Sequence, residues 1–177
     1  MKTDWDHLAN AKNGDEKSAE ILFSKYSKSI IKMAALITGS LDSGKDVAQE
    51  TFLRLINKKA KHHEGSFKTY VTTIAYRLAL KEKYRTNKSH SINEKDFIDE
   101  NDSQINNQCE EETKINIFEA INSLPLNQKE ILVLRFYGCH SYEEIAGITK
   151  LPIGTVKSRI FYAVKACGKK LKQKGII

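Results

Sequence analysis

The chain has two prolines, three cysteines and one tryptophan in 177 residues, and each scarcity excludes something. Both prolines, Pro125 and Pro152, fall in the second half, so no proline interrupts a helix before that point. The cysteines, Cys109, Cys139 and Cys167, are odd in number and form no CxxC pair. They read as isolated reduced thiols rather than a disulfide framework. Cys139 adjoins His140, and His62 adjoins His63, but no second ligand pair stands at zinc spacing, so no metal site is expected. No stretch approaches the ~20 apolar residues of a membrane span. The opening MKTDWDHLANAKNGDEK has no apolar signal core, and a cytoplasmic protein is expected. No phosphate-binding glycine loop, metal spacing or nucleophile motif appears. An enzyme is therefore not expected, nor a cofactor or small-molecule substrate.

Charge is present and unevenly spread. Residues 1–85 hold 16 basic and 10 acidic groups, residues 86–112 hold two and eight, and residues 113–177 hold 11 and four. Two basic blocks thus flank an acidic strip. Basic blocks suit a polyanionic partner, although a solvated lysine-rich surface would look the same on charge alone. The acidic strip, TNKSHSINEKDFIDENDSQINNQCEEE, has few apolar residues and no helical period. It reads as a flexible tether; folding back on the basic domains is the alternative.

The first 85 residues read as helical throughout. Ile21, Leu22, Tyr26, Ile30, Met33 and Ile37 recur at helical steps, and Gly39 supplies the C-terminal stop. Asp42-Ser43-Gly44 reads as a turn. Asp46–Lys59 is a second helix, with Val47, Phe52, Leu55 and Ile56 inward and Gln49, Glu50 and Arg54 outward. After a break at Glu64–Ser66, Phe67–Arg85 is a third helix that buries Val71, Ile74, Ala75 and Leu78. No period-two strand pattern occurs. The expected fold is all-α: two small helical domains, 1–85 and 113–177, joined by a linker at 86–112.

Residues 120–167 end in a helix-turn-helix pattern. Ser141 and Glu144 form a capping box at the start of a short helix, a break follows at Thr149–Leu151, and Pro152 suits the first turn of the next helix. On a wheel of about 100° per residue, Ile153, Val156, Ile160, Ala163 and Val164 face inward. Gly154, Lys157, Ser158, Phe161, Tyr162 and Lys165 face out. That outer strip mixes basic, hydroxyl and aromatic groups, as reading phosphates and base edges in a major groove requires.

At these residues a family resemblance enters. Gly154-Thr-Val-Lys-Ser-Arg159, with Ser141-Tyr-Glu-Glu-Ile-Ala146 and Leu124-Pro125, resembles region four of bacterial RNA polymerase sigma factors, best in the extracytoplasmic-function group. Response-regulator output domains share a similar pattern, so the first half decides. There Asp46-Val-Ala-Gln-Glu-Thr-Phe-Leu-Arg-Leu55, Phe67-Lys-Thr-Tyr-Val71 and Ile74-Ala75 resemble sigma region two, as do Gly14-Asp15, Ala19, Leu22, Phe23 and Tyr26. Both signatures stand in the right order.

The resemblance implies roles. Asp46, Gln49, Glu50, Leu53 and Arg54 would bind core RNA polymerase. Lys58, Lys59, Lys61, His62, His63, Phe67, Tyr70, Arg77, Lys81 and Lys83 would hold the melted minus-ten strand. Tyr70 occupies the family's usual Trp position. Arg77 stands where many members carry Asn, and Lys81 where many carry Asp, which puts minus-ten base identity in doubt. Lys157, Ser158, Phe161 and Tyr162 would meet minus-thirty-five base edges, with Thr155 and Arg159 on phosphates. Tyr162 is often basic in relatives. Arg135 and Tyr142 would add backbone contacts, while Phe136 and Tyr137 would pack within the domain. The implied partners are core polymerase, promoter DNA and an anti-sigma protein, without membrane insertion. A polymerase-independent regulator is the rival; it would need dimerisation, and no heptad seam is present.

Overall fold

The computed structural model describes residues 2–57, 66–86 and 108–176. Among them every regular element is an α-helix. The chain divides into two compact units, Met1–Lys88 and Ser89–Ile177.

The first unit holds α1 (Asp4–Lys12), α2 (Glu16–Thr38), α3 (Leu41–Asn57) and α4 (Phe67–Thr86). Thr3 starts α1 with a capping box to Asp6. The Asp4 carboxylate accepts from Lys25 Nζ at 2.8 Å and from Tyr26 Oη at 2.6 Å, which ties α1 to α2. Burial works against ionising Asp4, but the Lys25 and Tyr26 hydrogen bonds outweigh it and hold its carboxyl below the ordinary range. Tyr26 moves the other way, raised by burial and by the Asp4 carboxylate.

Helix α2 ends where expected, with Gly39 in the left-handed region at φ 87°. Its core side is Leu22, Tyr26, Ile30, Met33 and Ile37, all nearly inaccessible. Ile21 is not part of that side and is 46 % exposed, because it lies about 100° of helix away from Leu22. The expected turn at Asp42–Gly44 is instead the first turn of α3. Gly44 serves close packing: a Cβ there would lie 2.8 Å from both Ala35 Cβ and the Ile31 carbonyl. The signal was thus a glycine chosen for helix approach rather than for chain reversal. Val47, Phe52 and Leu55 are buried as expected, whereas Ile56 is exposed beside Leu55. Helix α4 buries Val71, Ala75 and Leu78, with Ile74 only partly covered.

The second unit holds α5 (Gln108–Asn122), α6 (Leu126–Phe136), α7 (Tyr142–Thr149) and α8 (Ile153–Gln173). Helix α5 begins inside the segment read as a tether; residues 87–107 lie outside the described residues. The core is built from Phe118, Ile121, Ile131, Leu134, Ile145, Ile148, Val156, Ile160 and Ala163. The Ser141–Glu144 capping box forms, with Ser141 Oγ accepting from the Glu144 amide at 3.1 Å. The turn between α7 and α8 falls on Lys150, at φ 60°, and Pro152 occupies the N-cap of α8 rather than its first turn. His140 lies in the core at 0 % exposure. Gly138 makes room for it, since a Cβ at 138 would come within 2.6 Å of the His140 ring and the Leu134 carbonyl.

Candidate nucleic-acid and protein interfaces

Three surfaces carry the residues singled out in the sequence. The first is the outer side of α3. Burial of Val47, Phe52 and Leu55 turns Asp46, Gln49 and Leu53 to solvent, and Leu53 is 47 % exposed. Glu50 and Arg54 lie beside them, joined by a hydrogen-bonded ion pair of 2.6 Å from Arg54 Nε to Glu50 Oε1. All five residues share one strip. Its edge is a cleft of about 320 Å³ between α3 and α4, lined by Asp46, Glu50, Arg54, Lys81, Glu82 and Arg85. Lys81 therefore borders the α3 strip as well as the outer side of α4.

The second surface is that outer side. On a wheel of about 100° per residue, Tyr70, Arg77, Lys81 and Tyr84 fall within about 60° of one another. Arg77 and Lys81 are exposed, Tyr84 is 72 % exposed, and Tyr70 is partly exposed. Two expected members do not join them. Phe67 is only 4 % exposed and packs against Trp5 and Tyr26, with ring centroids at 5.0 and 5.5 Å. It is a core residue because it stands four positions before the buried Val71, on the side of α4 that meets α2. Lys83 points to another side and donates from Nζ to the Thr38 carbonyl at 3.3 Å. It satisfies the C-terminal end of α2, where carbonyls lack helical partners. Lys58, Lys59, Lys61, His62 and His63 lie outside the described residues. One neighbour was not foreseen. Trp5 of α1 reaches Tyr70, with centroids 5.3 Å apart. The two are far apart in sequence, and no periodicity links them.

The third surface is α8. Val156, Ile160 and Ala163 are buried, so Lys157, Ser158, Phe161 and Tyr162 stand outward. Phe161 and Tyr162 are 62 % and 58 % exposed and meet edge to face at 5.4 Å. Ser158 Oγ donates to the Thr155 carbonyl at 3.0 Å, and Thr155 is partly covered. Lys157 Nζ sits 6.0 Å from the Tyr142 ring centre, and the Arg135 guanidinium lies over the same ring at 5.0 Å. Arg135 also donates to the His140 carbonyl at 2.8 Å. These cations, behind the amide and Ser141 hydrogen bonds of the helix start, help hold the Glu143 carboxyl below its ordinary range.

Arg159 has protein partners in addition to its expected position at the DNA-facing helix. Its guanidinium lies 3.6 Å from Glu130 Oε1 and donates to the Asn127 carbonyl at 3.4 Å. Glu130 is itself buried, and Arg159, still partly exposed, joins α8 to the start of α6. Ile153 and Val164 are 38 % and 48 % exposed instead of buried, because the covered side of α8 is narrower than the wheel suggested. Phe136 is likewise 59 % exposed. Val164, Phe136, Ile117, Ile121, Leu132 and Leu171 line an open apolar groove of about 470 Å³. No hydrophobic period marks such a groove, since its walls come from α5, α6 and α8. Among the described residues no cluster of metal-ligating groups occurs, and no helix is long and apolar enough to cross a membrane.

Known proteins match both units. Residues 22–89 match the family described as Sigma-70 region 2, and residues 114–167 match Sigma-70, region 4. The ECF RNA polymerase sigma-E factor of Haemophilus influenzae is 30% identical over 91% of this chain and 91% of its own. The protein of that name from Escherichia coli K12 is 29% identical over 96% and 95%. Two solved structures share the fold. One is the sigma factor RpoE of Bartonella quintana in complex with the anti-sigma factor NepR, with a TM-score of 0.66, 20% identity, and coverage of 86% of this chain and 96% of that one. The other is CnrH in complex with the cytosolic domain of CnrY, with a TM-score of 0.67, 16% identity, and coverage of 94% and 96%. With both regions matched in order and such relatives aligned along nearly the whole length, the chain belongs to the sigma-70 family of RNA polymerase sigma factors, in its ECF group.

Proposed function

We propose that the chain binds core RNA polymerase through α3, reads a minus-thirty-five element with α8, and holds an opened minus-ten strand on the outer side of α4. ECF membership supports the broad part, promoter-specific transcription initiation with RNA polymerase. The finer assignment rests foremost on α8. Its covered side fixes the helix on α6 and α7, which leaves Lys157, Ser158, Phe161 and Tyr162 free of the core. Lys157 can donate to guanine O6 or N7, Ser158 can donate or accept, and Phe161 can pack on a thymine methyl. On α4, Arg77 and Lys81 supply positive charge beside Tyr70 and Tyr84, the combination that holds single strands. Recognition and melting need no bond chemistry from this chain, and we infer no catalytic site, metal or cofactor.

The α3 strip suits a protein partner, because the exposed Leu53 is ringed by polar and charged groups. The apolar groove of the second unit is a second protein-docking surface, as exposed apolar patches of this kind mark contact sites. The solved relatives held by anti-sigma proteins support a regulator of that class here. Run-off transcription of a genomic promoter library with purified core polymerase tests the function. Specific transcripts that depend on this chain are expected. A gel shift separates the rival: promoter binding at full strength without core polymerase would favour an independent regulator.

A further inference from the structure

Trp5 is the only tryptophan of the chain and lies outside both family-matched stretches. Helix α1 brings it to the N-terminal end of the α4 strip. There it meets Phe67 edge to face at 5.0 Å and 89°, and leans on Tyr70 at 5.3 Å and 44°. Phe67 is buried beneath, while Trp5 and Tyr70 both keep part of their surface in solvent. The pair therefore continues the line of Tyr70, Arg77, Lys81 and Tyr84 by one further ring.

Two features argue that Trp5 does more than fasten α1. The helix is already held by buried Leu8 and Ala11 and by the Asp4 contacts to Lys25 and Tyr26. The carboxylates of its first turn are also turned to protein groups. Asp4 is bound as above, and Asp6 Oδ2 accepts from the Thr3 amide at 2.7 Å and the Thr3 hydroxyl at 2.8 Å. Of the two carboxylates beside Trp5, that of Asp4 is paired with the Lys25 cation, which eases the approach of a nucleic-acid strand to the ring.

We propose that Trp5 is a nucleic-acid-binding residue, forming with Tyr70 an aromatic platform on which an unpaired base of the opened strand stacks. This rests on the reading of α4 as the single-strand surface. Aromatic stacking is tolerant of base identity, so the platform would add affinity rather than sequence choice.

The test uses a mixed-sequence single-stranded oligodeoxynucleotide with a fluorescent end label. Its affinity for holoenzyme is measured by anisotropy for the wild type, Trp5→Leu, Trp5→Phe and Tyr70→Ala. Trp5→Leu keeps apolar packing and removes the ring; it should weaken binding at least about fivefold, the low end of what one stacked base contributes. Trp5→Phe should restore most of it. In the free wild-type chain, Trp5 emission should be quenched saturably as the same oligonucleotide binds, which a purely structural tryptophan would not show. Wild-type affinity in Trp5→Leu with weakened binding in Tyr70→Ala would overturn this inference and leave the α4 reading standing. Wild-type affinity in both would overturn the α4 reading itself. If Trp5→Leu unfolds the first unit, emission decides: no quenching at saturation, as judged by anisotropy, would refute the platform.

Discussion

Replacing Arg159 and Lys157 in turn tests whether Arg159 holds the second unit together while Lys157 reads DNA. In Arg159→Ala, the guanidinium between Glu130 and the Asn127 carbonyl is lost. Glu130 is 8 % exposed and Arg159 is partly covered, so both groups feel less than full solvent screening. Removing one partner of such a buried charged contact costs on the order of 1–3 kcal/mol. For a unit of this size, each kcal/mol lowers Tm by about 4–8 °C. Lys157→Ala removes an exposed side chain that lies 6.0 Å from the Tyr142 ring centre, and Tm should barely move. Its cost should appear in DNA binding instead, as ~1–3 kcal/mol of lost discrimination at one or two base pairs. The assays are thermal unfolding of each variant and holoenzyme binding to minus-thirty-five duplexes over a range of salt. The refuting result is an Arg159→Ala protein with unchanged Tm and a salt dependence reduced by about one phosphate contact. Arg159 would then be a phosphate ligand, as the sequence first suggested, and the ion pair with Glu130 would contribute nothing to stability.

Asp46→Arg with Glu50→Arg should cut core-polymerase pull-down more than about tenfold while both units stay folded, since reversing interface charges costs a few kcal/mol; full pull-down by a folded double variant would remove α3 as the docking strip. Arg77→Asn should alter preferred minus-ten bases without impairing core binding, because an amide can accept as well as donate while a guanidinium only donates; a randomised minus-ten library transcribed by both proteins checks this, and identical preferences would take Arg77 out of the reading pocket. Gly44→Ala should destabilise the first unit by about 1–3 kcal/mol in chemical denaturation, as its Cβ would press on Ala35 and the Ile31 carbonyl. Asp4→Asn should cost about 1 kcal/mol near neutral pH, a figure kept small because Lys25 is half exposed. Asp4 has a lowered folded pKa, so its stabilisation is complete above the ordinary carboxylate value of about 3.9 and fades as pH falls through the lower folded value. The gap between wild type and variant should therefore close on acidification; a gap that is constant down to about pH 2 would show that charge at Asp4 is not its source.

Much was legible in the chain by itself because the signals are local. The helical period, the Gly39 stop and the Ser141–Glu144 capping box each need only a few neighbouring residues, and each recurs in the structure. The two sigma signatures are also linear strings, so the family could be recognised without a fold. Periodicity says which residues share one side of a helix; it does not say how wide a side the neighbours will cover. That choice is made by long-range packing. Ile21, Ile56, Ile153 and Val164 are apolar yet exposed because they lie beyond the edge of the side that the neighbouring helices cover. Gly44 is a packing glycine only because Ala35 of α2 lies against it. Phe67 became core, Lys83 a helix-end donor and Arg159 a tie to α6 because partners distant in sequence, Tyr26, Thr38 and Glu130, stand within reach. The meeting of Trp5 with Tyr70 is of the same kind. Only the docking of α1 on α2 decides that the single tryptophan of the chain ends beside the strip that α4 turns to solvent.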